Sequence, residues 1–118
     1  MKNKSKHAHL KRKKEFRFHK IEIISKKGKK NKMVHPAYVF LEKGNLYIYV
    51  TITHSSQIEG KLIVKLCKNP NPYDERDSYF VDEIKYDTKD TFGRKQNKWS
   101  IDDCDDARIR ESFEKKKR

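Results

Sequence analysis

The chain is poor in apolar material. Only 34% of its 118 residues are hydrophobic and 40% are charged, so the core is small and the length holds one domain rather than two. No apolar run approaches the ~18 residues that cross a bilayer, and the basic start lacks the apolar segment of a secretory signal. The expectation is a cytoplasmic soluble protein without a membrane partner. Cysteine is scarce, Cys67 and Cys104 being the pair. With no CxxC and no Cys/His spacing of the zinc type, neither a metal nor any other cofactor is expected, and the cysteines read as reduced thiols in preference to a disulfide.

Acid is missing from one region. Residues 1–14, MKNKSKHAHLKRKK, contain none. Residues 1–32 hold 14 Lys and Arg against Glu15 and Glu22, a net of +12, whereas the rest holds 16 bases against 15 acids. A nearly neutral body thus carries an intensely basic leader. Such a leader attracts polyanions over a Debye length of roughly 10 Å and gains from counterion release. Nucleic acid, RNA or DNA, is the favoured partner over a solubilising role. Few apolar residues and no amphipathic pattern argue against anionic membrane. Residues 1–14 read as a disordered basic tail offering Lys11, Arg12, Lys13 and Lys14 to phosphate. His7 and His9 supply too few ligands for a metal.

Beyond the tail the pattern is one of short strands. EFRFHKIEIIS, from Glu15 to Ser25, shifts its alternation midway, as a bulged strand or two short ones would. KKGKKNK follows as a loop whose five lysines, Lys26, Lys27, Lys29, Lys30 and Lys32, form a second basic element. Ala37 to Leu41 and Leu46 to Thr53 read as strands of a hairpin turning at EKGN, with Pro36 at a strand start. Leu46, Ile48, Val50 and Ile52 share the inward face; Tyr47, Tyr49, Thr51 and Thr53 share the face open to water or ligand. KLIVKLCK predicts a strand with Leu62, Val64 and Leu66 on one side, stopped by KNPNP. SYFVDEIKY, from Ser78 to Tyr86, reads as one strand, KDTFGRKQNKW as a loop, and Trp99 as a core plug. The final stretch reads as a helix capped by Ser100 with Asp103 reciprocal, acids first and lysines last, and Ile109 and Phe113 packing inward.

The expected architecture is mainly β: a small antiparallel β-barrel of five to six strands over residues 15–99, a C-terminal helix over 100–118 and the tail over 1–14. Closure of the barrel would remove exposed edges.

HPAYVFLEKGNLYIYVTITHSS, residues 35–56, resembles the core signature of the Kid/PemK/MazF toxin superfamily of small β-barrel endoribonucleases. In that family a basic residue before Pro opens a strand written roughly RPALVL, and the next long strand ends in an Ile-Thr-Ser-like segment. The family's Arg corresponds to His35, and its Thr to Thr53. The resemblance implies metal-independent cleavage of single-stranded RNA, a homodimer and an antitoxin partner.

The residues allow the chemistry to be judged directly. Attack of a ribose 2′-OH on the adjacent phosphate needs a proton acceptor, a proton donor and donors to the phosphorane oxygens. Histidine serves either proton role near neutral pH. His35 and His54 are therefore the acid–base candidates, and Thr53, Ser55 and Ser56 the hydroxyl donors. Arg76 and Ser78 are secondary phosphate contacts, Lys68, Asn69 and Asn71 are turn formers first, and Tyr38, Tyr47 and Tyr49 are candidates for base stacking. Against this stands the commoner fate of Ser in turns, bonding backbone groups. Two further readings stay open: a nucleic-acid binder that cuts nothing, and a protein-interaction module whose lysines serve solubility.

Overall fold

The computed structural model describes residues 18–24 and 30–116. Its elements are β1 (Phe18–Ile24), β2 (Lys30–Lys43), β3 (Leu46–Thr53), β4 (Ile63–Lys65), β5 (Tyr79–Val81), β6 (Lys85–Thr88), a 3-10 turn (Lys89–Thr91), β7 (Phe92–Lys95) and the helix α1 (Asp103–Lys116). The tail 1–14 and Lys26, Lys27 and Lys29 lie outside the described residues. Lys30 and Lys32, read as loop, belong to β2.

The seven strands form one antiparallel sheet in the order β4-β5-β3-β2-β1-β7, with β6 also beside β3. The barrel does not close, because β4 and β7 stand at opposite ends of this order. The reason lies in the short strands: β4 and β5 have three residues each, too few for a ladder that wraps round. SYFVDEIKY is two strands. It breaks after Val81, where the Asp82 N–H donates to Leu62 O and the Glu83 N–H to Val81 O. As a result β5 and β6 lie one after the other along a single edge of β3, pairing at Ile52↔Phe80 and Tyr49↔Lys85. FGRK, read as loop, is the edge strand β7.

Where the sequence alternates cleanly the expectations hold. The β2–β3 hairpin turns at Gly44, whose φ of 58° lies in the left-handed region that glycine enters without cost. β1 is one strand with two register shifts, against β7 between His19 and Ile21, where its alternation changes, and against β2 between Glu22 and Ile23. Ile48, Val50 and Ile52 enter a core with Phe18, Tyr38, Phe40, Leu66, Phe80, Ile101, Ile109 and Phe113, each large apolar side chain contributing about 1.5–3 kcal/mol when fully buried. Trp99 packs against this core, edge-on to Phe18 at 5.7 Å. Val64 packs there too, but Leu62 is 66% exposed because β4 begins only at Ile63.

Two adjacent aspartates dock α1. Asp105 is wholly buried and accepts the Cys67 N–H through both carboxylate oxygens (2.8 and 3.0 Å), the Lys68 N–H at 3.3 Å and Arg108 at 2.7 Å. Asp106 accepts the hydroxyl of Tyr38 at 2.5 Å and the guanidinium of Arg110. Burial, reinforced by that carboxylate, holds the Tyr38 hydroxyl protonated far above the ordinary phenol range. Tyr38 is therefore a core residue bolting sheet to helix, not a stacking platform. The helix begins at Asp103, and Asp102 rather than Ser100 accepts the Cys104 N–H at its start. Ser100 instead donates its N–H to Pro70 O.

Candidate nucleic-acid interface

The end of β3 is the site to which the sequence points. The last β2–β3 pair is Ala37↔Thr51, so two residues further on His35 and Thr53 come level at the same end of the ladder. His35 is half-buried in β2, opposite Ile21. Thr53 is only 8% exposed, pairs with Tyr79 on the other edge of β3, and its Oγ1 accepts the Ser55 N–H at 3.1 Å. Ser55 and Ser56 are exposed in the following loop.

His54 turns away from His35. Its Nδ1 lies 3.1 Å from Asp77 O and its Nε2 3.3 Å from Asp74 Oδ2. Both partners precede β5, which flanks β3 on the side opposite β2. The topology thus sends His35 and His54 to opposite edges of one strand. Arg76 grips Asp74 at two points, Nε to Oδ1 at 3.0 Å and Nη2 to Oδ2 at 2.7 Å. The paired guanidinium, with the His54 ring behind it, holds the Asp74 carboxyl far below the usual carboxylate range.

This loop owes its shape to local side-chain bonds. Asn69 Oδ1 accepts the Asn71 N–H, Asn71 Oδ1 the Tyr73 N–H, and Asp74 Oδ1 the Arg76 N–H. Each is an Asx-type contact two residues along the chain. With Lys65 to Ser78 the loop borders a cleft of about 370 Å³. Its charges are largely matched, since Lys65 reaches Asp77 at 3.5 Å while Arg76 holds Asp74. Residues 54–78 hold four Lys/Arg and four Asp/Glu. Such a surface has no net pull on a polyanion.

The other edge differs. β1 lies between β2 and β7, and Phe18 at its start is fully buried against Tyr38 and Trp99. The two lysine-rich stretches of the sequence, 1–14 and 26–32, therefore attach to opposite ends of one anchored strand. Seven residues of strand span roughly 20 Å. Alongside runs β7, where Arg94 and Lys95 are exposed and His19 is paired with Lys95. The approach is close: a Cβ on Gly93 would come within 3.2 Å of Lys20 O.

Beside this edge, on the face opposite the main core, sits a ring cluster. His19 stacks on Tyr47 at 5.1 Å with an interplanar angle of 23°, and Phe92 meets His19, Tyr47 and Tyr49 edge-on at 5.6, 5.0 and 5.1 Å. Small Ala37 and Val39 on β2 leave room for Phe92 to cover them. Tyr49, expected to face water, is only 3% exposed and donates its hydroxyl to Asp87 at 2.6 Å. Tyr47 and Phe92 stay half-exposed, with the Lys89 ammonium 5.4 Å above the Tyr47 ring.

His19, Phe92, Arg94 and Lys95 were not singled out from sequence. A four-residue strand made of Phe, Gly, Arg and Lys carries no alternation signal, and its partner β1 lies over seventy residues away. No helix of the described residues is long and apolar enough to cross a membrane. No protein-family model matches the chain, and no curated protein matches it either.

Proposed function

We propose that this protein binds single-stranded nucleic acid in the cytoplasm, RNA in the first instance, along the β1–β7 edge. The observation that carries the reading is the attachment of both lysine-rich stretches to the ends of β1, a strand fixed by a buried phenylalanine. A phosphate backbone lying along that edge meets cations from the tail, from β7 and from residues 26–32. Each neutralised phosphate releases counterions, giving a slope of about −0.7 per contact in log K against log salt for single strands. The half-exposed Tyr47 and Phe92 offer ring surface beside it, and stacking of one base is worth ~1–3 kcal/mol.

The test is fluorescence anisotropy of a labelled single-stranded RNA across a salt series. A steep negative slope that flattens on deletion of residues 1–14, and again when Lys26, Lys27, Lys29, Lys30 and Lys32 become Gln, supports the proposal. Binding that ignores both changes overturns it.

A second reading, the toxin-type endoribonuclease with its antitoxin and homodimer, keeps one specific support. His54 is exposed, and a carbonyl at Nδ1 fixes its orientation at the cleft, leaving Nε2 to exchange protons if Asp74 is drawn aside. The same incubations in EDTA, inspected for 5′-OH products, test it. Cleavage abolished by His54→Ala establishes this reading; intact RNA after prolonged incubation with several sequences removes it.

A further inference from the structure

Cys67 and Cys104 come together although 37 positions separate them. Their sulfur atoms stand 2.9 Å apart, and both residues are exposed. Cys67 follows β4 by two residues, and Cys104 lies in the first turn of α1. The backbone that carries them is already held. The Asp105 carboxylate, next to Cys104 in the chain, accepts the Cys67 and Lys68 N–H groups, while Arg108 donates to Asp105 and to Lys65 O at 2.7 Å each. Closing a bond between the sulfurs therefore asks little of the surrounding chain.

A soft cation is the competing occupant, because Asp102 brings a carboxylate oxygen within 4.8 Å of both sulfurs. Two thiolates on one tetrahedral zinc, each at about 2.3 Å, stand about 3.7 Å from each other. The observed separation of 2.9 Å is shorter than that. Among the described residues the site supplies three protein ligands where structural zinc takes four.

We propose that Cys67 and Cys104 form a reversible disulfide by exchange with a small-molecule disulfide. One protein thiolate attacks a sulfur of the small disulfide, forming a mixed disulfide and expelling one small thiol. The second protein thiolate attacks the protein-bound sulfur, closing the Cys67–Cys104 bond and expelling the other. The protein loses two protons and two electrons, and the small disulfide gains them as two thiols. The bond clamps the cleft loop to α1. It stands on geometry separate from the β1–β7 edge and does not depend on nucleic-acid binding.

The experiment equilibrates full-length protein with mixtures of reduced and oxidised glutathione, quenches with acid, alkylates free thiols and reads intact and peptide masses. The expected product is lighter by two hydrogens, has no alkylatable thiol, and yields a peptide pair joined through Cys67 and Cys104. Its melting temperature rises by on the order of 10 °C and falls back with dithiothreitol. Cys67→Ser and Cys104→Ser, both at exposed positions, each take up one glutathione instead. Two thiols still open to alkylation in excess oxidised glutathione overturn the proposal. So does a disulfide between two chains on a non-reducing gel, or zinc that co-purifies, protects both thiols and leaves on chelation with the mass unchanged.

Discussion

The cleft beside His54 and the edge formed by β1 and β7 are both rich in charge, yet they use it in opposite ways. At the cleft every carboxylate that bonds a cation also fixes a piece of loop. Asp74 holds Arg76 and His54, and Asp77 holds Lys65. In the sequence around β1 the bases of residues 1–32 outnumber acids by twelve, too many for the chain to satisfy by itself. Balanced charge builds the loop, and on the proposed reading the surplus charge serves a partner. Exposed ion pairs of the first kind contribute little, about 0–1 kcal/mol each; the surplus expresses itself only when a polyanion arrives.

The contrast is broken most severely by Phe18→Ala. Removing a fully buried ring that packs on Tyr38 and Trp99 costs about 3–5 kcal/mol, read as a shift in the urea midpoint. The same change loosens the strand that carries the leader, so RNA affinity falls with it. Deleting residues 1–14 leaves the fold intact by circular dichroism. It lowers RNA affinity on the order of 100-fold at low salt, with the loss shrinking as salt rises.

Tyr38→Phe removes the hydroxyl donated to Asp106 while Arg110 still pairs with that carboxylate. A loss of about 1–2 kcal/mol in stability is expected, with RNA binding unchanged. Arg76→Ala is expected to change RNA affinity less than about twofold, since that guanidinium is committed to Asp74 and a rim charge contributes little. A large loss of affinity on Arg76→Ala would move the binding surface to the cleft.

Two titrations sharpen the contrast further. Asp74 has a depressed pKa, so its bond to Arg76 is present above the ordinary carboxylate pKa of ~3.9 and is lost only as pH falls through the lower folded value. Carboxyl NMR should show its midpoint well below the ordinary carboxylate value, and Arg76→Ala should raise it. In reduced protein the hydrogen bond with Cys104, aided by desolvation and the Asp105 carboxylate, pushes the Cys67 thiol up to about 11. Alkylation of Cys67 should therefore stay slow at neutral pH and accelerate only toward that value, and Cys104→Ala should bring the rise to lower pH.

The parts of this molecule that could be read from sequence are those whose signal is local. The β2–β3 hairpin repeats every second residue around a glycine turn, and α1 announces itself by acids before lysines and by Ile109 and Phe113 four apart. β7 could not be read, because Phe92 to Lys95 become a strand only by pairing with β1. The break after Val81 was hidden for a similar reason, being set by Leu62 O receiving the Asp82 N–H across the sheet. Asp105 read as one of several acids suited to a helix start; only the fold reveals that it is wholly buried and receives the backbone beyond β4. The sequence groups His54 with His35, because neighbouring strands bring their ends together. Its bonds to Asp74 and Asp77 come from a loop some twenty residues further on. Within residues 35–56 the chain forms the β2–β3 hairpin that its alternation around Gly44 predicts.

The chain passes from β6 beside β3 to β7 beside β1 with only Lys89–Thr91 between them. That strap bears on how the molecule answers a mechanical load. Ladder bonds in an antiparallel pair lie perpendicular to the strands, so tension applied through the N-terminal leader shears β1 against β2 and β7 at once instead of peeling bonds one by one. A load arriving at that end of β1 is thus met along the stiffest direction of the sheet.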